Sequence, residues 1–145
     1  MSSRASAVLT LAALAVLATA GCRREVDRIS SSDYMLDLLT GYWQRAREAL
    51  KSEKPDLASF RAIQANLRGR VQASVEAGYA GPNKQAVIDK LKSITAAYQA
   101  EVLTRLDTGS RVVQLRQGVK LAELRKAFEK VDQEFRELEA LIGPE

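Results

Sequence analysis

Histidine is absent from this 145-residue chain, and cysteine occurs once, at Cys22. Without imidazole the chain lacks the usual base for a nucleophile, the common haem ligand, and the Glu-x-x-His pair of a di-iron bundle. A lone thiol can form neither a disulfide nor a thiolate metal cluster within one chain. Gly78 and Gly81 do not precede a Lys-Ser/Thr pair on a strand-to-helix turn, so no phosphate-cradling loop is present. No pair of carboxylates is spaced for hydrolase chemistry either. These absences lead to the expectation of a non-enzyme with no cofactor and no metal. Glu129, Asp132, Glu134, Glu137 and Glu139 come nearest to a cation site. Interspersed with Lys126, Lys130 and Arg136, they read as i,i+3 and i,i+4 surface pairs.

Charge of one sign is also scarce. The chain has 22 basic and 18 acidic residues, a net charge of +4. The pI near 9.4 therefore overstates the excess. A mixed-charge surface follows, with no nucleic-acid partner expected. Arg61, Arg68 and Arg70 could form a basic docking patch, but helical spacing turns Arg70 away from the other two, leaving solvated rims.

What is present is concentrated at the start of the chain. Arg4 precedes an uncharged run over residues 5–20, which closes on Thr19-Ala20-Gly21-Cys22. This order of parts fits a secretory signal ending in small residues. As an uncleaved membrane helix the run is at the lower limit of the roughly 20 residues required, and it carries Ser6, Thr10 and Thr19. As an ordinary secretory peptide it would leave Cys22 a free thiol in an oxidising compartment.

The Ala-Gly-Cys ending resembles the lipobox of bacterial lipoproteins. That resemblance implies a diacylglyceryl group on the Cys22 sulfur, removal of residues 1–21, and acylation of the new N-terminus. Each buried CH₂ contributes about 0.8 kcal/mol, and two or more chains anchor stably. Arg23 follows the cysteine where an Asp is associated with inner-membrane retention. The resemblance then implies the periplasmic face of the outer membrane in a diderm, or the outer face of the plasma membrane in a monoderm.

Residues 22–32 read as the lipidated cysteine and a short tether, with Arg23, Arg24, Glu25, Asp27 and Arg28 ahead of the Ser30-Ser31-Ser32 run. The ten residues after Cys22 reach at most about 35 Å.

Residues 33–145 then form one domain of four helical stretches. Over 33–51, Met35, Leu36, Leu38, Leu39, Tyr42, Trp43, Ala46, Ala49 and Leu50 recur at helical spacing, with Asp37, Gln44 and Glu48 opposite. Pro55-Asp56 separates this helix from the next, over 56–77, whose inner face holds Leu57, Phe60, Ile63, Leu67, Val71 and Val75. The break at 78–83 leads to a third helix over 83–107, with Val87, Ile88, Leu91, Ile94, Tyr98, Val102 and Leu106 facing inward. Thr108-Gly109-Ser110 ends it, and a fourth helix is expected over 111–142. There Leu121, Leu124, Phe128, Val131, Phe135, Leu138 and Ile142 form a narrow seam. Val112, Leu115, Val119 and Ala122 form a second stripe, roughly opposite the first, with Gly118 at the changeover.

The expected fold is an all-α, antiparallel up-down four-helix bundle. Its last helix is the longest, kinked at Gly118 or overhanging the rest. At about 1.5 Å per residue such a helix would extend well beyond its neighbours. Val112, Leu115 and Val119 are accordingly the candidate partner surface. Trp43, Tyr42, Tyr98, Phe128 and Phe135 are read as core. The expected function is a lipid-anchored, non-catalytic interaction or scaffold module on an extracytoplasmic membrane face. It would be held to the membrane through acyl chains on Cys22 and bound to a protein partner in the cell envelope. The alternative is a lipoprotein that holds an apolar molecule between its helices.

Overall fold

The computed structural model describes residues 31–143, which are mostly helical with very little strand. The lipobox at Thr19-Ala20-Gly21-Cys22, the apolar run before it and the tether as far as Ser30 lie outside the described residues. Among the described residues no helix is long and apolar enough to cross a membrane.

Helix α1, Ser31–Ala49, buries Leu36, Leu39, Trp43 and Ala46 at alternating spacings of three and four. Asp33 in its first turn and Arg47 in its last oppose the helix dipole favourably. After Pro55, the Asp56 carboxylate accepts the Ala58 N–H at 3.0 Å, satisfying a donor at the start of the next helix.

The single helix expected over 56–77 is divided. Helix α2, Ala58–Leu67, and helix α3, Arg70–Gly78, meet at Gly69, whose φ of 91° belongs to the left-handed region. Glycine adopts that geometry without the Cβ penalty. The break re-aims the chain without losing the inner face: Phe60, Ile63, Leu67, Val71 and Val75 are all buried, with Leu57 just ahead of them.

Helix α4, Lys84–Ala97, follows the turn at Pro82 and continues as a π-turn, Tyr98–Val102, and a 3-10 turn, Leu103–Arg105. The sequence explains this. Ile94, Tyr98, Val102 and Leu106 are spaced strictly by four, and each such step drifts about 40° around an α-helix. The wider π-turn absorbs the drift, and all four stay buried.

The helix expected over 111–142 is corrected most. Helix α5, Leu121–Ile142, is the longest helix among the described residues, but it starts only at Leu121. The residues before it form a short antiparallel hairpin, β1 Leu106–Asp107 and β2 Gln114–Leu115, pairing Leu106 with Leu115 and Asp107 with Gln114. Gly118, expected as a kink, takes φ of 82° in a turn closed by Val119 N–H to Arg116 C=O at 3.0 Å. Positive φ at the third residue of a turn is a glycine position. No overhang arises, because the long helix on which it depended does not form.

The α5 seam keeps its expected face: Leu124, Phe128, Val131, Phe135 and Leu138 are buried, with Leu121 and Ile142 partly so. α1 packs on α2 and α3, and α4 packs on α5. Hydrogen bonds tie the helix ends. Arg125, near the start of α5, donates to the carbonyls of Leu50 and Ser52 just after α1. Asn83, at the start of α4, donates to the carbonyl of Leu141 near the end of α5.

Candidate partner-binding surface

Two places concentrate polar side chains on apolar supports. The first is the contact of α1 with α5. Trp43 is fully buried, stacked parallel on Phe135 at 4.3 Å between ring centroids and more obliquely on Phe128 at 5.1 Å. Tyr98 tilts against it at 5.9 Å, and the Tyr98 hydroxyl donates to the Phe60 carbonyl at 2.9 Å. Burial pushes the Tyr98 hydroxyl well above the usual phenol range. Of the five aromatic residues read as core, only Tyr42 is half-exposed, and Arg45 stands 5.6 Å from its ring.

Trp43 carries one polar atom into this core, and it determines the surroundings. Its Nε1–H donates to Asp132 Oδ1 at 2.9 Å. Arg47 donates to the same oxygen from Nε at 3.0 Å and Nη2 at 2.6 Å, and Arg136 reaches Oδ2 at 3.3 Å. Arg47 also bonds Glu139 at 3.2 Å. Burial alone would raise the Asp132 pKa, but the bonds from Arg47 and Trp43 outweigh it and hold the carboxyl below its usual value.

The surface pairs expected along α5 are therefore corrected. Apart from Asp132–Arg136, the bonds of the acids over residues 129–139 run to other helices: Glu137 to Lys90 at 2.6 Å, Glu134 to Ser93 at 2.9 Å, and Asp132 and Glu139 to Arg47. Sequence spacing missed Arg47, because Arg136 offers Asp132 a local partner at i+4 while Arg47 is remote in the chain.

A groove of about 260 Å³ opens beside this network, with Arg47, Lys51, Arg125 and Arg136 on its walls and Leu50 and Phe128 below. Its cations are engaged already, Lys51 with Glu48 and the three arginines as above. Among the described residues, no three His, Cys, Asp or Glu side chains cluster as a metal site would require.

The second place is the hairpin, where the structure puts Val112, Leu115 and Val119. It does not bring them onto one helix face. Val112 is 71 % exposed, Leu115 and Val119 are half-buried, and Val113, which the helical reading passed over, is buried. Burial here alternates with period two over Val112, Val113, Gln114 and Leu115, as on a strand.

The loop between the two strands is ordered by side chains. The Arg61 guanidinium donates to the carbonyls of Thr108, Ser110 and Arg111. The Asp107 carboxylate accepts from Gly109 N–H at 3.1 Å and from Ser110 Oγ at 2.7 Å, with Gln114 Nε2 at 3.4 Å. Those bonds, Ser110's foremost, hold the Asp107 carboxyl below its usual range. Arg61 thus serves the hairpin, while Arg68 and Arg70 stay exposed. Arg111, Arg116 and Lys120 are exposed along the loop and the turn after it. Cys22, the candidate lipidation residue, lies outside the described residues.

Comparison with protein families, with curated proteins and with solved structures finds no match for this chain.

Proposed function

We propose that this chain is a lipid-anchored, non-catalytic helical module that holds a protein partner at an extracytoplasmic membrane face. The observation that carries the reading is Thr19-Ala20-Gly21-Cys22 closing an uncharged run, in a chain with no other cysteine. The membrane is the outer membrane, on its periplasmic face, in a diderm and the plasma membrane, on its outer face, in a monoderm. Residues 1–21 are the signal, 22–32 the lipidated cysteine and tether, whose last two residues, Ser31 and Ser32, already belong to helix α1, and 33–145 the rest of the domain.

In this reading α1, α2 with α3, α4 with its π-turn, and α5 form the four arms of an antiparallel up-down bundle. The bonds from Arg125 to Leu50 and Ser52, and from Asn83 to Leu141, support it, since each joins an end of one arm to the start or end of another. The hairpin then sits at the end of the domain remote from Ser31. The alternative, an apolar molecule held between the helices, would require room where Trp43, Phe128, Phe135 and Tyr98 pack together.

The test is metabolic labelling with a fatty acid in a bacterial host. Wild type should incorporate label and appear as the shorter processed form, and Cys22→Ser should accumulate as unlabelled precursor. Normal processing of Cys22→Ser together with an unlabelled wild type would overturn the anchor.

A further inference from the structure

We infer that the hairpin over residues 106–120 is a docking surface for an acidic segment of a partner protein, which seats an apolar side chain against Val112. The inference deepens the reading above and rests on its partner-holding half, not on the anchor.

The loop is built to stay in one conformation although it buries little. Arg61 closes it from outside through three carbonyls, and Asp107 closes it from inside through Gly109, Ser110 and Gln114. A surface ordered beforehand loses less freedom when it binds. Core packing does not explain Val112, which is 71 % exposed beside the buried Val113.

Its electrostatic surroundings are predominantly basic. Residues 108–122 contain Arg111, Arg116 and Lys120 and no carboxylate, and Arg61 adds a fourth cation beside the loop. The two acids that flank this stretch are engaged locally, Asp107 by the loop itself and Glu123 by the Lys120 N–H. Rim charge of one sign attracts a partner of the opposite sign and speeds its encounter. The occupant is therefore acidic, with an apolar group at its centre.

One observation favours protein over other polyanions. Residues 108–122 include no aromatic side chain on which a base or sugar could stack.

The experiment uses the full-length lipoprotein in intact cells, with a photo-reactive side chain at position 112 and sequencing of the crosslinked peptide. The expected adduct is a peptide of net negative charge. Its yield should fall about tenfold, equivalent to about 1.4 kcal/mol, in the Arg111→Glu, Arg116→Glu double variant. Yield should be unchanged in Lys84→Glu, Lys92→Glu, which reverses exposed charge on α4. Circular dichroism and fatty-acid labelling of each variant verify folding and anchoring. A neutral or basic peptide, an adduct with lipid or glycan, no adduct, or a yield indifferent to the arginines would overturn the docking surface. Normal labelling without an acidic adduct removes this inference alone. An acidic adduct without labelling removes the anchor alone.

Discussion

Helix α5 and the hairpin that precedes it are held in place by opposite means. α5 buries Leu124, Phe128, Val131, Phe135 and Leu138 in one core and sets Asp132 among Trp43, Arg47 and Arg136. The hairpin buries Leu106 and Val113 and is otherwise fixed by hydrogen bonds that Arg61 donates and Asp107 accepts. One region is stable because water is excluded, the other because exposed polar groups restrain a short loop. A loop fixed in the second way keeps its outer side chains out of the core. Val112 and the neighbouring cations thus stay at the surface.

The comparison would break first at Trp43. Trp43→Ala removes the ring that Phe128, Phe135 and Tyr98 share, and should cost about 3–5 kcal/mol in denaturant unfolding. A cost below about 1 kcal/mol would mean that the stack does not organise the domain. Asp132→Ala should come next, at about 3 kcal/mol. It leaves the Trp43 N–H without its acceptor and Arg47 without its main anion. The low end of the range applies because the Arg47 side chain keeps 25 % of its surface in water. The Asp132 pKa is lowered on folding, so its contribution is complete above the ordinary carboxyl value of 3.8 and is lost as pH falls through the folded value. Wild type should lose stability in that acid range, and Asp132→Ala should lose less. Parallel pH curves for the two would contradict the network.

These two regions also explain what the sequence disclosed and what it did not. The inner faces were legible because burial follows the helical period. Every inward residue named for the second and third stretches is buried, even where Gly69 divides one helix and a π-turn ends the other. The hairpin was not legible because Val112, Leu115 and Val119 also fit spacings of three and four, next to a long helix that could absorb them. Signals were present all the same: the β-branched pair Val112-Val113, the turn residues Asp107-Thr108-Gly109-Ser110, and Gly118. Arg61 and Arg47 were missed for another reason. Their partners are remote in the chain, and spacing along one helix reveals only local pairs. Cys22 was read from its local sequence alone and lies outside the described residues.

Smaller changes sharpen the contrast within the hairpin. Val113→Ala removes two buried methyl groups and should cost about 1.5 kcal/mol. Arg61→Ala should cost about 1 kcal/mol, because its carbonyl bonds lie at the exposed surface. Its larger effect should be local, with faster amide exchange over residues 108–116 and none over α5. Faster exchange spread evenly over the domain would mean that the loop and the core are one cooperative unit.

Val112→Glu should have the smallest effect on stability, within about 0.5 kcal/mol of wild type, since a side chain already 71 % exposed loses little contact when replaced. The same substitution at Leu115, which packs half-buried against the core, should cost clearly more. A helix with Val112, Leu115 and Val119 on one stripe predicts similar costs at all three positions, and a hairpin predicts a near-zero cost at Val112 alone. Equal costs at positions 112 and 115 would return this segment to the helical reading. A cost confined to 115 and 119 would show that the domain leaves Val112 outside its own packing.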